Sequence, residues 1–143
     1  EPGGSISGTT AIALFSVGTI KHKENISLAA IDAGADALIR ATQSWNFYRV
    51  VCANKMNQPL SSLYNVVGPL CYEGDIPAHN RMLPELAEND ILAFIDVGSY
   101  TTVLFNNYNG RPSPLVLMIS ENGEVKIIKK RQTFEDLIQG EIL

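Results

Sequence analysis

The chain has 143 residues, of which 45% are hydrophobic and 18% charged, a composition that indicates one soluble globular domain. Its formal net charge of −4 argues against a nucleic-acid-binding protein, and no basic cluster exceeds Lys129-Lys130-Arg131. No apolar run approaches the length of a membrane span. Two cysteines do not make a disulfide framework, so we expect a reducing, cytoplasmic location.

The N-terminal third predicts a loop followed by a β-hairpin. Residues 1–9 are rich in Gly, Ser and Thr and have neither an initiator Met nor a signal-peptide pattern, which suggests a piece of a longer protein. The apolar, β-branched run from Thr10 to Lys21 predicts a long strand. Residues 26–32 predict the return strand, because a polar turn separates the two runs.

The middle of the chain mixes strand signals with a polar stretch. A short helix is predicted over residues 37–44, and strands over residues 47–53 and 63–70. Residues 77–90 are polar, contain two prolines and predict an excursion over the surface. A buried strand is predicted for residues 91–97.

The C-terminal part predicts a second hairpin and a short helix. Residues 99–107 fit either a short helix or a continued strand. Residues 115–120 and 124–129 flank Asn122-Gly123, the strongest hairpin signal in the chain. Thr133 with Asp136 predicts a helix start, and Gly140 its end. Six or seven closely spaced strands without a βαβ rhythm favour an antiparallel barrel or sandwich, and periodicity does not choose between them.

A candidate site follows the predicted strand that ends at Gly68-Pro69. Cys71 lies just past this strand end and fits either a nucleophile or proton donor, or a buried structural cysteine. Glu73 and Asp75 could bind a cationic ligand or form a solvated turn. Both histidines, His22 and His79, lie in polar stretches away from Cys71, which disfavours a Cys–His hydrolase.

Two further residues could contact an anionic ligand. Arg40 ends an apolar run and could pair with a carboxylate, the alternative being a surface ion pair. Tyr100 follows a predicted buried strand and could reach a phosphate or carbonyl, the alternative being a core tyrosine with a satisfied hydroxyl. No phosphate-binding Gly loop, zinc spacing or calcium loop is present, so no metal is expected.

Six blocks of residues occur in register along nearly the whole chain: Glu1-Pro2-Gly3; Ile31-Asp32-Ala33-Gly34 with Leu38-Ile39-Arg40; Gly68-Pro69-Leu70-Cys71 with Gly74-Asp75; Leu83-Pro84-Glu85-Leu86 with Asp90 and Asp96–Tyr100; Asn107–Pro114; and Arg131–Leu137. Together they resemble the C-terminal half of the pyridoxal-phosphate-dependent ornithine, diaminopimelate and arginine decarboxylases, nearest to the diaminopimelate enzymes.

The resemblance implies a mainly β fold, an antiparallel Greek-key β-barrel with short rim helices and a C-terminal helix. Residues 1–9 would be the linker from a missing (β/α)₈ barrel that carries the cofactor lysine, and residues 10–143 the β-barrel domain. The full-length parent would be a homodimeric amino-acid decarboxylase that uses pyridoxal 5'-phosphate and acts on an amino-acid substrate.

The resemblance also implies three cofactor contacts. Glu1 matches the acid that pairs with the pyridinium nitrogen, which keeps the ring an electron sink. Gly3 belongs to the same cofactor-binding motif, and Tyr100 matches the residue that hydrogen-bonds the cofactor phosphate.

For catalysis and substrate binding, the resemblance implies four further residues. Cys71 matches the catalytic cysteine, which acts across the dimer interface and protonates the carbanion left by CO₂ loss. Arg40 matches the arginine that binds the distal carboxylate in diaminopimelate decarboxylases. Glu73 and Asp75 lie in the same substrate loop.

Several departures from the family pattern point to a divergent member. Gly4 stands where the family has a phosphate-binding Arg, and Ser44 where diaminopimelate decarboxylases have a Tyr. Tyr72 follows the cysteine where that subfamily has Glu. The alternatives are therefore an inactive paralogue with a regulatory or interaction role, and an unrelated stand-alone binding module. The chain alone is expected to be inactive, since none of its six lysines matches the cofactor lysine.

Overall fold

The computed structural model describes residues 2–142, which form eight strands and three short helices. The strands are β1 (Ile12–Lys21), β2 (Ser27–Ile31), β3 (Val50–Cys52), β4 (Ser62–Val67), β5 (Ala78–Leu83), β6 (Ile91–Ile95), β7 (Val116–Ile119) and β8 (Val125–Lys129). The α-helices are α1 (Gly4–Ser7), α2 (Ala35–Leu38) and α3 (Phe134–Ile138). Single 3-10 turns cover Gly8–Thr10, Ile39–Thr42, Ala53–Lys55 and Tyr108–Gly110. Within residues 2–142, no helix is long and apolar enough to cross a bilayer.

Six strands form one curved sheet in the order β3-β6-β1-β2-β4-β5, and β7 and β8 form a separate two-stranded sheet. The two edge strands β3 and β5 approach each other, so the large sheet nearly closes on itself. Arg81 on β5 bridges this gap, because its Nη2 donates to the carbonyl of Tyr48, just before β3, over 3.4 Å. The mainly β, barrel-like fold that the sequence predicts is confirmed.

The core lies inside this curved sheet. Phe15 on β1 and Phe94 on β6 meet edge to face, with ring centres 5.4 Å apart. The Tyr64 ring is fully buried, and its hydroxyl accepts a hydrogen bond from the Leu86 backbone N–H at 3.0 Å. Aromatic rings and aliphatic side chains therefore fill the interior without leaving this polar atom unpaired.

Strand directions decide which loops meet. β2 and β4 run parallel, and β1 is antiparallel to both β2 and β6. The start of β1 and the ends of β2, β4 and β6 therefore lie at the same end of the barrel, which we call the site rim. β2 and β4 are the only parallel neighbours among the described strands, a detail that the predicted antiparallel pattern did not include.

The stretch 77–90, predicted as a surface excursion, contains β5, and that prediction is wrong. Pro77 and Pro84 flank the strand rather than interrupt it. Its four central residues are partly or fully exposed, and three of them are polar, because β5 is an edge strand.

Other boundaries shift by a few residues. The N-terminal segment predicted as a loop contains α1 and a 3-10 turn, and the helix predicted for residues 37–44 begins at Ala35 and continues as a 3-10 turn to Thr42. The strands predicted for residues 47–53 and 63–70 are shorter than expected. Residues 99–107 form turns and bends, so neither a helix nor a continued strand is correct there.

Both predicted hairpins are confirmed as antiparallel pairs, β1 with β2 and β7 with β8. The capping box is also confirmed. The Thr133 Oγ1 accepts from the Asp136 N–H at 3.3 Å, and the Asp136 carboxylate accepts from the Thr133 N–H at 2.7 Å.

The β7–β8 hairpin exposes apolar side chains on both faces. The exposed residues are Leu117, Met118, Ile119, Val125, Ile127 and Ile128. A two-stranded sheet is marginally stable alone in water, and an apolar patch of this kind promotes association. We therefore expect the isolated chain to self-associate, with an average mass above that of a monomer in sedimentation equilibrium.

A double variant tests whether the hairpin causes this association. Leu117 and Ile127 are direct cross-strand neighbours, so Leu117→Lys with Ile127→Glu removes apolar surface while keeping a favourable opposite-charge pair. This variant should shift the chain towards monomer. Met56→Lys, which removes an exposed apolar side chain elsewhere, should not. Equal average masses for the parent chain, the double variant and Met56→Lys would contradict the prediction.

At the end opposite the site rim, a buried carboxylate ties two segments together. The Asp90 carboxylate accepts from Lys55 Nζ at 2.7 Å, from Asn54 Nδ2 at 2.8 Å and from the Ala87 N–H at 2.7 Å. Burial opposes ionisation of Asp90, but these partners outweigh it and lower its pKa below the usual value. The hydrogen bond from Lys55 to Asp90 likewise raises the pKa of Lys55.

These shifts predict a pH dependence of stability. Because folding lowers the pKa of Asp90, its contribution is present above the unfolded-state pKa of about 4 and is lost as pH falls through the folded-state pKa. Asp90→Asn should lower the urea midpoint at neutral pH, and it should weaken the fall of that midpoint between about pH 5 and pH 3. If the urea midpoints of the parent and of Asp90→Asn change with pH in parallel, Asp90 is not the source of the pH dependence.

Candidate functional site

The site rim gathers the segments that carry most of the predicted site residues. α1 precedes β1, the Arg40 segment follows β2, the Cys71 loop follows β4, and Tyr100 follows β6. The Gly98 N–H donates to the carbonyl of Gly8 at 2.9 Å, which holds the N-terminal segment against the end of β6. The strand directions thus bring together residues that are far apart in sequence.

Arg40 and Tyr100 share a cleft of about 290 Å³ at this rim. The Arg40 guanidinium carbon lies 4.5 Å from the centre of the Tyr100 ring, a cation–π arrangement. Nη2 of Arg40 donates to Asn46 Oδ1 at 3.3 Å, while its buried Nε has no hydrogen-bond partner among the described residues. The remaining lining residues are Gly4, Gly8, Thr9, Tyr48, Asp96 and Ser99.

Tyr100 has an unusual backbone conformation, with a φ of 56° in the left-handed region. Residues other than glycine rarely adopt a left-handed backbone conformation, and those that do cluster at functional sites. Tyr100 is 40% exposed, so it is not a core tyrosine. A Cβ on Gly3 would lie 2.9 Å from the Tyr100 hydroxyl, so the glycine leaves room for the phenol to reach the N-terminal backbone.

Cys71 is exposed in a loop that other segments hold in place. Its backbone N–H donates to Asn109 Oδ1 at 3.2 Å, and the Tyr108 hydroxyl donates to its carbonyl at 3.1 Å. The alternative of a buried structural cysteine is wrong for Cys71, and the buried cysteine of the chain is Cys52, which lies in the core. Desolvation raises the pKa of the Cys52 thiol.

The two acids of this loop differ sharply. Glu73 is exposed at the loop surface. Asp75 is 4% exposed, and its carboxylate accepts from the Ala35 N–H at 2.7 Å and the Leu70 N–H at 2.8 Å. A direct contact of Asp75 with substrate stays a prediction, and in this position it would compete with both hydrogen bonds.

Sequence reasoning missed a buried acid four residues before Arg40 in the chain. Asp36, on α2, accepts from Arg111 Nε at 2.8 Å, and Arg111 Nη2 also donates to the Asp32 carbonyl. This pair fastens the loop of Tyr108 and Asn109 to α2. The sequence placed Asn109–Pro112 within the block Asn107–Pro114, but it does not show what the side chains of that block contact.

Arg81 resembles Arg40 in its local geometry but lies outside the cleft. Its guanidinium carbon lies 3.8 Å from the centre of the Phe47 ring, and its buried Nε also has no partner among the described residues. Its other nitrogens donate to the carbonyls of His79 and Tyr48. Arg81 therefore serves as an internal control for Arg40.

The remaining predictions concern Glu1, Gly4 and metal binding. Glu1 lies outside the described residues. Gly4 lines the cleft, and a Cβ there would meet only Ser99, at 3.9 Å, so a side chain has room at this position. Among residues 2–142, no group of three or more His, Cys, Asp or Glu side chains could hold a metal ion.

Residues 9–98 match the family model described as "Pyridoxal-dependent decarboxylase, C-terminal sheet domain". The chain belongs to this family. It is 36% identical over its whole length to a diaminopimelate decarboxylase of Archaeoglobus fulgidus and covers 34% of that protein. It is 34% identical over 99% of its length to a diaminopimelate decarboxylase of Methanothermobacter thermautotrophicus and covers 32% of it.

The fold of this decarboxylase domain also matches solved structures. The chain aligns with a diaminopimelate decarboxylase of M. jannaschii in co-complex with L-lysine, with a TM-score of 0.90 and 28% identity, over 98% of this chain and 32% of that one. The chain spans about a third of the length of the curated relatives it matches. The family and the domain type that the sequence resemblance predicts are therefore confirmed.

Proposed function

We propose that this chain is the β-barrel domain of an amino-acid decarboxylase that uses pyridoxal phosphate. The cleft at the site rim carries the proposal, because Arg40 and Tyr100, which match family residues that bind substrate and cofactor, stack on each other there. Residues 1–9 would link it to the (β/α)₈ barrel with the cofactor lysine, and two copies would form the active enzyme.

The residues around the cleft fit an anionic group such as the cofactor phosphate. Tyr100 offers a hydroxyl beside Gly3, and Gly4 and Gly8 expose backbone in the cleft wall. The Nε of Arg40 is a buried donor without a partner among the described residues. When bound, pyridoxal phosphate supplies an electron sink for the bonds at the substrate α-carbon. Glu1 is proposed to pair with its ring nitrogen.

Cys71 is proposed to donate the proton that replaces the lost carboxyl group, acting in the site of a second copy. Its exposed loop lies on the same rim, but neither Cys71 nor Glu73 lines the cleft of Arg40 and Tyr100. This separation supports an arrangement in which Cys71 and Glu73 of one subunit reach the cleft of the partner subunit. Asn109 holds the backbone N–H of Cys71 and Tyr108 holds its carbonyl, so the loop can present the thiol and its proton at a defined place.

The proposed substrate is an amino acid with a second carboxylate, of the diaminopimelate type. The guanidinium of Arg40 offers planar donors that suit a carboxylate, and it lies over the Tyr100 ring in the cleft. Ser44 replaces the usual partner tyrosine, and Glu73 could instead favour a distal amine. A panel of amino acids assayed with the full-length protein distinguishes these substrates.

A catalytically inactive paralogue is the second candidate, favoured by Gly4 in place of the phosphate-binding Arg. Titration of the full-length protein with pyridoxal phosphate separates the two. We expect stoichiometric visible absorbance for the full-length protein and none for the 143-residue chain alone, because the cofactor lysine lies outside it.

Gly4→Arg sharpens this test, because Gly4 has room for a side chain in the cleft. The added guanidinium should tighten cofactor binding about tenfold or more through charge-assisted hydrogen bonds to the phosphate. A full-length protein that stays colourless with added cofactor would support the inactive paralogue. A borohydride-trapped cofactor on one defined lysine of the isolated chain would contradict the proposed domain division.

A further inference from the structure

Asp75 joins two segments of the site rim through one side chain. Its Oδ1 accepts from the N–H of Ala35 at 2.7 Å, and its Oδ2 accepts from the N–H of Leu70 at 2.8 Å. The carboxylate is buried, and no Lys or Arg side chain among the described residues pairs with it. Backbone donors from two different segments therefore hold this acid.

Two glycines leave the space that the carboxylate fills. A Cβ on Gly34 would lie 2.0 Å from Oδ1, and a Cβ on Gly68 would lie 2.1 Å from Oδ2. Any other residue at either position would displace the acid. The backbone of Asp75 adds a further link, because its carbonyl accepts from the Gly68 N–H at 2.9 Å. The chain is thus shaped around this carboxylate on both sides.

The two joined segments carry the proposed functional groups. Ala35 begins α2, which leads within five residues to Arg40, and Leu70 directly precedes Cys71. These segments follow β2 and β4, the parallel pair, so they leave the sheet side by side at the same rim. The strand pairing alone brings them near each other, whereas the Asp75 carboxylate sets the spacing between them.

We infer that Asp75 is a positioning residue that fixes the Arg40 segment and the Cys71 loop relative to each other. The functional part of this inference rests on the proposed decarboxylase function. In this role Asp75 does not contact the substrate. It acts through two backbone N–H groups, and its loss should disturb substrate binding and proton donation together.

Hydrogen exchange of the full-length protein, read by mass spectrometry on peptides covering residues 33–37 and 69–72, tests the geometry without any activity. Asp75→Asn keeps the shape but sets an amide NH₂ against one of the two N–H donors. Exchange in at least one of these peptides should become about tenfold faster or more. Asp90→Asn, a matched loss of a buried carboxylate at the other end, should instead speed exchange around Ala87. Unchanged exchange in both rim peptides of Asp75→Asn would overturn the inference.

Kinetics of the same variants test the function. Asp75→Asn should lower kcat and raise the KM for a dicarboxylic substrate, each about tenfold or more, because a small misplacement of both groups is costly. Asp90→Asn should leave both constants close to those of the parent at a temperature where it stays folded. Equal kinetic effects of the two variants would show that Asp75 matters only for stability and would overturn the positioning role.

Two further comparisons keep the test decisive. If Asp75→Asn does not fold, Gly68→Ala keeps the carboxylate but pushes it from its place, and it should give the same exchange and kinetic changes. Unchanged rim exchange in Gly68→Ala would overturn the inference. A parent protein without decarboxylase activity contradicts the proposed function alone, because the exchange experiment still decides whether Asp75 holds the two segments.

Discussion

Cys71→Ala should lower the kcat of the proposed full-length decarboxylase by about 100-fold or more and change its product distribution. A positioned proton donor contributes about 10²- to 10⁴-fold to a rate, and alanine removes the proton without adding charge or bulk. The loop backbone keeps its two hydrogen bonds, from the Cys71 N–H and to its carbonyl, so its shape should persist. Steady-state kinetics with mass-spectrometric product analysis measures both effects.

Cys52→Ala is the matched control for this experiment, because it removes the other thiol of the chain from the buried core. This variant should lower stability by about 1 kcal/mol through the small cavity it leaves, with kcat and products unchanged. A Cys71→Ala enzyme with the turnover and products of the parent would remove Cys71 from the mechanism.

Arg40→Leu should raise the KM for a dicarboxylic substrate about 10- to 100-fold. The lost interaction is a charge-assisted hydrogen-bond pair worth roughly 1.5–3 kcal/mol. Leucine also removes the stack on Tyr100, so the informative quantity is the KM ratio between a dicarboxylic substrate and one without a distal carboxylate. Only the dicarboxylic substrate should lose the hydrogen bonds between its distal carboxylate and Arg40, so its KM should rise more than the KM of the other substrate.

Arg81→Leu provides the control, because Arg81 also stacks on an aromatic ring and also has a buried Nε without a partner among the described residues. Its loss should loosen the junction between β5 and the segment before β3, lowering stability without changing the KM ratio. If Arg40→Leu leaves that ratio unchanged, or if Arg81→Leu changes it equally, the dicarboxylate hypothesis fails.

Local patterns were sufficient to predict much of the fold. Asn122-Gly123 predicted the second hairpin, and Thr133 with Asp136 predicted the cap of α3, because these signals act within a few residues. The stretch around β5 was mispredicted, since an edge strand with a solvent-facing side has the composition of a loop.

The resemblance supplied the candidate site residues, which stay a prediction, but the sequence did not reveal how these residues are connected. The order of blocks along the chain, by resemblance, pointed to Arg40, Cys71 and Tyr100. It did not reveal that Asn109 and Tyr108 hold the Cys71 loop, nor that Arg111 pairs with buried Asp36. These contacts join positions 37 to 75 residues apart, and no local pattern records them.

The sequence by itself determined the family, the β-rich class and the residue types available for chemistry, because composition, turn signals and ordered motifs are properties of the chain alone. Only the tertiary structure decided which of those residues share a rim and what each one touches. Asp75 shows the reason: its carboxylate looked like a ligand group in the sequence, yet folding surrounds it with two glycines and two backbone donors. The partners of a polar group depend on strand direction and burial, which are set by long-range packing.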